Sequence, residues 1–400
     1  MIQVAVMGYG TIGSGVVEVL EQNSGSIAKK AGEAIEVKYV LDLRDFPGNP
    51  IEKKLVKDYR IIANDPEVSA VVETMGGVEP AYTFVKTMLE AGKSVTTSNK
   101  ALVADKGAEL MRIAKEKGVS FLFEASVGGG IPIIRPLYNC LTADVIEEIS
   151  GIVNGTTNYM MTKMMTDGSN FDEVLKDAQA KGYAEKDPTA DIEGYDACRK
   201  IAILTSEVSG KTVDFETIHT EGITKITAED MKYAKAMGKS IKLIASSRKV
   251  GDTYCAMVAP FLVPEGHPLF AVNDVFNAVF VHGNMLGDAM FYGSGAGKLP
   301  TASAVAADIV DIVKHKNKNI PICWSEEKLE LADYKTLENA FFVRTKASKE
   351  QVEKVFGKVT YVKAEGVLQE IGFVTEKMSE AAFEEMAGAL ESVLQRIRMK

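Results

Sequence analysis

A glycine-rich turn near the start of the chain has a spacing that could hold an anion. It reads Gly8-Tyr9-Gly10-Thr11-Ile12-Gly13. The apolar run from Ile2 to Met7 precedes it and apolar residues at helical spacing follow it, so the glycines are expected between a buried strand and a helix. That context is the one that a dinucleotide-binding fingerprint requires. The alternative is a glycine-rich turn that binds no ligand.

Each glycine of this turn is expected to have its own physical role. Gly8 would permit the tight turn, Gly10 would let a pyrophosphate approach the backbone, and Gly13 would let the helix pack close to the strand. The N–H groups at the start of the helix, at Thr11 and Ile12, would face the anion. The turn therefore predicts NAD(P) as a cofactor.

A second predicted strand, Ile35 to Leu41, ends at a residue that could choose between the two coenzymes. Asp42 could accept a hydrogen bond from a ribose hydroxyl, which would favour NAD. Arg44 follows two residues later, and its guanidinium could instead hold the 2′-phosphate of NADP. The preference stays open at this point.

Two further strands indicate an open parallel sheet. Ala70 to Met75 reads as a strand that ends at a glycine pair, a helix follows from about Pro80 to Gly92, and Ser94 to Thr97 reads as the next strand. Ligands bind at the carboxyl ends of such strands. The residues expected to face the nicotinamide end of the cofactor are therefore Gly76, Ser98, Asn99 and Lys100.

Length and composition limit the class of protein. A chain of 400 residues with 46% hydrophobic and 25% charged residues is expected to form two to three globular domains. The net charge of -9 is spread without a basic stripe, so nucleic acid is not an expected partner. Since no apolar stretch reaches the length of a membrane span and no basic leader precedes the first strand, we expect no membrane association and a cytoplasmic location.

Cysteines and methionines are assigned no cofactor. The cysteines stand singly, which indicates neither a disulfide framework nor a zinc site, and we expect buried thiols; they are Cys140, Cys198, Cys255 and Cys323. A core or a subunit interface explains the methionine cluster, which weakly favours a dimer; it contains Met160, Met161, Met164 and Met165.

Five local patterns resemble one family in the right order, over roughly residues 1 to 320. The family is that of the homoserine dehydrogenases. The patterns are Thr97-Ser98-Asn99-Lys100-Ala101-Leu102, the segment from Phe123 to Ile133, the segment from Gly151 to Tyr159, the segment from Gly182 to Pro188 with Asp191, Gly194, Asp196, Arg199 and Lys200, and the loop from Phe291 to Gly297 with Pro300, Thr301 and Ala302.

The resemblance implies a reaction, a substrate and a set of site residues. The family reversibly reduces L-aspartate 4-semialdehyde to L-homoserine with NAD(P)H, in the biosynthesis of threonine, methionine and isoleucine. Hydride addition to an aldehyde builds negative charge on oxygen, so the site needs a proton donor and a cation. The matching lysines are Lys100 and Lys200, and Asp196 lies one helical turn before Lys200, where it can orient the ammonium. Glu185 and Asp191 are assigned to the substrate's ammonium, and Gly295 to the loop that returns to the cofactor.

The resemblance also implies a sodium ion near the domain junction. The matching positions are Glu124 and the carbonyls of Val127, Gly129 and Ile131. Hard cations prefer oxygen ligands, and a glycine-rich backbone can turn several carbonyls inward. The alternative is a tight glycine hinge in which Glu124 is hydrogen-bonded locally.

The last 60 residues predict a βαββαβ domain. Strands are expected at residues 340–345, 360–364, 371–375 and 394–398, and helices at residues 349–356 and 380–390. This order resembles an ACT domain, a sensor for which threonine is a usual effector. The first strand-to-helix loop, from Thr345 to Lys349, lacks the glycine that such domains often use for ligand binding. A purely structural or dimerising domain is the alternative.

These expectations combine into a three-part α/β enzyme that acts as a homodimer or larger homo-oligomer. A Rossmann-type nucleotide-binding domain covers residues 1–135 with about 300–318 packing back on it, an α+β catalytic and dimerisation domain covers 136–299, and the ACT-like domain covers 335–400. One rival is a phosphorylating semialdehyde dehydrogenase, which would need an activated thiolate. A second rival is a sensor of NAD(P) and an amino acid that catalyses nothing.

Overall fold

The computed structural model describes residues 1–322 and 324–400, so Cys323 lies outside the described residues. The chain forms two compact units. The first contains residues 1–145, 202–215 and 291–329, and the second contains residues 146–201, 216–290 and 330–400. Within the described ranges no helix is long and apolar enough to cross a membrane.

The first unit is built on a six-stranded sheet in which every pair of neighbours is parallel. Its order is β3-β2-β1-β4-β5-β6, with the order reversing between β1 and β4. This is the doubly wound arrangement of a Rossmann-type dinucleotide-binding domain, which confirms the sequence prediction for this part of the fold. The strands are β1 Ile2–Met7, β2 Ile35–Leu41, β3 Leu55–Val56, β4 Val68–Glu73, β5 Ser94–Thr97 and β6 Phe121–Leu122.

Helices between these strands cover the sheet. They are α1 Thr11–Gln22, α2 Ser24–Ala31, α3 Tyr59–Asn64, α4 Ala81–Glu90, α5 Lys100–Lys117 and the short α6 Ala125–Gly128.

Two glycines shape the turn between β1 and α1. Gly8 has φ of +96°, a value that favours glycine. A Cβ on Gly13 would lie 1.8 Å from the carbonyl oxygen of Gly8, so only glycine lets the helix pack this close.

The second unit is built on a ten-stranded mixed sheet. Its main order is β12-β11-β7-β9-β10-β18-β14-β16-β15, and β8 pairs with β10. The remaining strands of the chain are β7 Ile146–Ile152, β8 His219–Thr220, β9 Lys239–Val250, β10 Thr253–Pro264, β11 Phe276–Gly283, β12 Gly287–Ser294, β13 Glu338–Asn339, β14 Phe341–Thr345, β15 Val359–Val362, β16 Ile371–Thr375, β17 Met378–Ser379 and β18 Val393–Met399.

The remaining helices divide between the units. They are α7 Gly155–Asp167, α8 Phe171–Ala180, α9 Thr189–Ile192, α10 Tyr195–Ser209, α11 Ala228–Ala236, α12 Lys298–Lys314, α13 Lys349–Phe356 and α14 Glu380–Ala389. Helix α12 belongs to the first unit and packs on α1. A Cβ on Gly15 of α1 would meet the Cβ of Ala302 at 3.0 Å, so a glycine lets the two helices approach closely.

The C-terminal elements follow the predicted βαββαβ order, in β14, α13, β15, β16, α14 and β18. Their strands are antiparallel neighbours in the order β18-β14-β16-β15. The sequence predicts a separate domain here, but β18 also pairs in parallel with β10 through Phe261 with Arg398 and Leu262 with Met399. The C-terminal strands therefore continue the sheet of the second unit.

Candidate active site

The buried ammonium of Lys200 is the centre of a polar cluster in the second unit. Lys200 and Asp196 are 8% and 3% exposed and lie one turn apart on α10. The Lys200 Nζ donates to the carbonyl oxygen of Val153 at 2.6 Å and to Asp196 Oδ2 at 2.8 Å. A buried cation needs such acceptors. The two residues therefore form the ion pair that their spacing predicted.

Asn154 connects this pair to Asp191. Its Nδ2 donates to Asp191 Oδ1 at 2.7 Å and to Asp196 Oδ2 at 2.9 Å. Its Oδ1 accepts from the backbone N–H of Thr157 and so caps helix α7. The sequence analysis assigned Asn154 no role. The available signal was an asparagine directly after a buried strand and before a helix, in one of the patterns that carried the resemblance.

Glu185 is not part of the same cluster. Its side chain is exposed on the loop between α8 and α9, and its carbonyl accepts from Gln179 Nε2 at 3.0 Å. Thr156, near the start of α7, donates its hydroxyl to the carbonyl of Tyr183 at 2.5 Å. This bond ties the loop to α7. The described structure therefore brings together three of the predicted residues, Asp191, Asp196 and Lys200, through Asn154, and leaves Glu185 at the surface.

In the first unit, the glycine turn is open at Gly10. Gly10 precedes α1, and a Cβ built on it would meet nothing within 4 Å. Residues Thr11 and Ile12 begin the helix, so their N–H groups belong to the first turn, which has no intrahelical acceptors. The geometry fits an anion at this end of α1.

Asp42 and Arg44 form a paired charge beside this turn. Asp42 accepts from the N–H of Tyr9 at 2.8 Å and from Nε and Nη2 of Arg44 at 3.0 and 2.8 Å. The Arg44 side chain, and after it burial and the N–H bonds, set the pKa of Asp42, and the net effect holds it well below its usual range. Lys57 Nζ donates to the carbonyl of Arg44 at 2.6 Å. The loop after β2 thus places Arg44 beside a carboxylate that is already engaged, whereas Lys57 follows β3 and pairs with Asp45.

The carboxyl ends of β4 and β5 are joined by hydrogen bonds around Glu73. Thr97 donates its hydroxyl to Glu73 Oε2 at 2.5 Å and accepts from the N–H of Asn99 at 2.9 Å. Asn99 donates to the carbonyl of Gly77 at 2.5 Å and caps α5, which begins at Lys100. Gly76 has φ of +82°, and the N–H of Ser98 donates to the carbonyl of Glu73 at 3.4 Å. The predicted cofactor-facing residues of these two loops therefore lie on one connected edge.

Both oxygens of the Glu124 carboxylate accept hydrogen bonds from its own loop. It accepts from the backbone N–H groups of Ile133, Ile134 and Arg135 at 2.6, 2.9 and 2.8 Å. Across the described residues, no cluster of three or more His, Cys, Asp or Glu side chains could hold a metal. A cation on this segment would therefore need the carbonyl oxygens of Glu124, Val127, Gly129 and Ile131 rather than the Glu124 side chain.

The glycines of this segment allow a close contact with the loop after β12. Gly129 has φ of +57°, and a Cβ there would lie 2.2 Å from the carbonyl oxygen of Gly295. The N–H of Gly130 donates to the carbonyl of Ser294 at 3.0 Å. Gly295, predicted to face the cofactor, thus abuts the backbone of the predicted cation segment.

A second buried carboxyl, Glu207, stands beside Glu124. Both of its side-chain oxygens are buried without a hydrogen-bond partner among the described residues. Burial, and then the charge of Glu124, raise the pKa of Glu207 well above its usual value. Nearby Asp308 has its pKa raised to about 7, mainly by burial against the opposing effect of Arg135. Arg135 is the guanidinium that pairs with Asp308 and faces Glu124.

The two buried cysteines that the structure describes are not activated as nucleophiles. Cys198 and Cys255 are buried as expected, whereas Cys140 is exposed. Burial raises the pKa of Cys198, although Thr220 and Arg199 oppose the shift. A thiol with a raised pKa holds little thiolate near neutral pH, so the geometry disfavours a phosphorylating semialdehyde dehydrogenase.

Two family models match most of the chain. The model described as "Homoserine dehydrogenase, NAD binding domain" matches residues 8–124, and the model described as "Homoserine dehydrogenase" matches residues 132–310. A homoserine dehydrogenase of Bacillus subtilis (strain 168) is 43% identical over 317 residues, which cover 78% of this chain and 73% of that protein. One of Mycobacterium tuberculosis (strain ATCC 25618 / H37Rv) is 38% identical over 416 residues, which cover 98% and 94%.

Solved structures of the same description are similar in fold. The chain superposes on the crystal structure of a homoserine dehydrogenase from Thiobacillus denitrificans with a TM-score of 0.91 and 34% identity, covering 100% of this chain and 98% of that one. It superposes on a hyperthermophilic archaeal homoserine dehydrogenase in complex with NADPH with a TM-score of 0.65 and 27% identity, covering 78% and 97%.

The state of Glu207 predicts how stability varies with pH. Because the folded state raises its pKa, the protonated carboxyl favours folding below the unfolded pKa of about 4.3, and this contribution is lost as the pH rises. Glu207→Gln should therefore gain stability relative to the wild type between pH 5 and 8, by up to about 1.4 kcal/mol per pH unit. Denaturant titrations across that range measure the difference. Parallel curves would show an unshifted carboxyl, and Glu90→Gln, at an exposed position, is the matched control.

Proposed function

This chain belongs to the homoserine dehydrogenase family, and we propose which of its residues carry out the reaction. The enzyme is an NAD(P)-dependent oxidoreductase that interconverts L-aspartate 4-semialdehyde and L-homoserine. The observation that carries the assignment of roles is the hydrogen-bonded cluster of the buried Lys200, Asp196 and Asn154 with the half-buried Asp191. The reaction belongs to the biosynthesis of threonine, methionine and isoleucine.

Lys200 is the proton donor in the direction of reduction. The bound coenzyme supplies a hydride to the aldehyde carbon. An ammonium has three N–H groups, and within the described part of the chain Lys200 uses two of them on Val153 and Asp196. The third is left for the substrate oxygen, which gains charge as the carbonyl is reduced. Asp196 orients the ammonium, and in the oxidation direction the lysine accepts the proton back.

Asp191 and Glu185 bind the substrate's ammonium group. The Asp191 side chain is half-buried. Its Oδ1 accepts a hydrogen bond from Asn154 Nδ2 at 2.7 Å, which holds the carboxylate in place. Glu185, exposed on the loop, adds a second negative charge. A cation leaving water needs such matching. Lys100 lies at the first position of α5 in the first unit. Its proposed role is that of a cation at the nicotinamide end of the coenzyme.

The coenzyme lies across the carboxyl edge of the first sheet and is NADPH by preference. Its pyrophosphate meets the turn of Gly8, Gly10 and Gly13 and the start of α1. The loops with Gly76, Ser98 and Gly295 border the nicotinamide end. Support for NADPH comes from Arg44, whose guanidinium lies beside a carboxylate of Asp42 that is already engaged. The similar archaeal enzyme was solved with NADPH.

A sodium ion bound by the carbonyls of Glu124, Val127, Gly129 and Ile131 is a further part of the proposal. It is supported by the buried carboxyl of Glu207, which has no hydrogen-bond partner among the described residues and whose pKa is raised in part by the charge of Glu124. The ion would supply positive charge to this segment and no step of the reaction. Melting temperatures in sodium and in choline chloride at equal ionic strength test it: stabilisation by sodium should shrink in Glu207→Gln.

The C-terminal domain is proposed to be an ACT-like sensor for threonine. Its support is the element order and the strand order β18-β14-β16-β15. The missing loop glycine remains the argument for a structural role, and inhibition of turnover by threonine would distinguish the two. A homodimer stays a prediction, because Met160, Met161 and Met164 are buried inside the second unit and so lend no support to an interface. The cytoplasmic location also stays a prediction.

Removing the Lys200 ammonium should abolish chemistry without abolishing folding. Lys200→Met is expected to lower kcat by about 10²- to 10⁴-fold, measured as oxidation of NADPH at 340 nm with aspartate semialdehyde. Lys242→Met is the matched control, because Lys242 is also buried but donates to Val272, Asn158 and Asn273. Loss of activity in both variants, or in neither, would contradict the role of Lys200.

Arg44 should determine the choice of coenzyme. Arg44→Ala is expected to raise the KM for NADPH by about tenfold or more and to leave the KM for NADH nearly unchanged. Arg60→Ala is the control, since Arg60 pairs with Asp58 two residues earlier in the same way but at the start of α3. Equal effects of Arg44→Ala on both coenzymes would refute a preference for NADPH.

A further inference from the structure

The turn that joins Asp191 to Asp196 lies against a segment from elsewhere in the second unit, residues 220–223. The N–H of Ile223 donates to the carbonyl of Ile192 at 2.8 Å. A Cβ on Gly222 would lie 2.2 Å from that same carbonyl oxygen, and a Cβ on Gly194 would lie 3.1 Å from Thr220. Backbone thus packs on backbone without room to adjust, so a displacement of the segment must move the turn.

Glu221 anchors this segment. Its N–H donates to the carbonyl of Val258 on β10 at 2.7 Å. Its carboxylate accepts from Nη1 and Nη2 of Arg398 at 3.0 and 2.7 Å, and from Nη2 of Arg396 at 3.2 Å. The Nε2 of His219 lies 2.7 Å from Glu221 Oε1. Four contacts therefore fix a side chain that the proposed reaction does not use.

The two arginines belong to the last strand of the chain, β18. Arg398 is fully buried and also binds Glu380 with Nε at 2.5 Å and Nη2 at 3.0 Å. Burying a guanidinium requires partners on all sides, and here Glu221 and Glu380 supply them. The C-terminal strand is consequently held to the segment that carries the substrate turn.

We propose that Glu221 is a positioning residue for the substrate-binding turn, held from the C-terminal strand by Arg396 and Arg398. The inference rests on the proposed roles of Asp191 and Asp196. Glu221 touches neither the substrate nor the reacting atoms. It sets where Asp191 lies, so it affects how tightly the substrate is held more than the rate of proton transfer at Lys200.

Glu221→Gln tests the proposal with little change in shape. An amide has one acceptor oxygen, so the variant side chain cannot accept the two bonds from Arg398 on separate oxygens as Glu221 does. Arg398 keeps Glu380 as a partner, so the protein should still fold. The KM for aspartate semialdehyde is expected to rise by about tenfold and kcat to stay within about twofold. Arg396→Gln, made from the side of β18, should raise KM as well, and the double variant should be less than additive. Unchanged KM in a folded Glu221→Gln enzyme would overturn the proposal.

Glu370→Gln is the matched control. Glu370 pairs with Arg344 through two bonds at 2.8 and 2.9 Å, and Arg344 keeps Asp230 as its other partner. Glu370→Gln likewise removes one carboxylate partner from an arginine of the C-terminal strands. Arg344, however, holds the start of α11 and not the segment of residues 220–223. Its KM should stay at the wild-type value, and a rise equal to that of Glu221→Gln would reduce the effect to general loosening. Asp191→Asn distinguishes a failure of the proposed substrate site from a failure of the positioning role. If Asp191→Asn leaves the KM for aspartate semialdehyde unchanged, the proposed substrate site is wrong. If Asp191→Asn raises this KM and Glu221→Gln does not, only the positioning role is overturned.

Discussion

A buried ammonium is the constraint on which the second unit's site depends. At Lys200, which is 8% exposed, the carbonyl of Val153 and the carboxylate of Asp196 replace the water that the ammonium has lost. Those two acceptors come from the end of a strand and from the start of a helix. Asn154 holds Asp196 and Asp191 in the same place, so the charge of one lysine explains why three separate segments must meet.

Local signals were enough to predict the first unit. A glycine turn between an apolar run and an amphipathic helix has a short-range pattern, and Gly8 and Gly13 occupy the conformations that the pattern requires. Strands with continuous apolar runs were placed within two residues, as for β4, which ends at Glu73 instead of Met75. The four-residue spacing of Asp196 and Lys200 predicted their contact because both lie on one helix.

Long-range pairing could not be predicted in this way. Glu221 and Arg398 are 177 residues apart, and neither has a neighbour in sequence that marks it as half of an ion pair. Glu207 in α10 reads as an ordinary helical glutamate, and only the fold shows that it is buried beside Glu124. The C-terminal elements were predicted in the right order, but their junction with β10 depends on a pairing that periodicity does not contain.

The buried Arg398 explains why that junction is specific rather than merely stable. Replacing a buried ion pair by apolar residues often costs nothing in stability, whereas removing one partner leaves an uncompensated charge. Arg398 has Glu221 on one side and Glu380 on the other. A shift of β18 by one residue would turn the Arg398 side chain to the opposite face of the sheet and remove it from both carboxylates. The charges therefore fix the register of the last strand against β10. Because Glu221 is one of them, the same register also fixes the segment against which the substrate turn is packed.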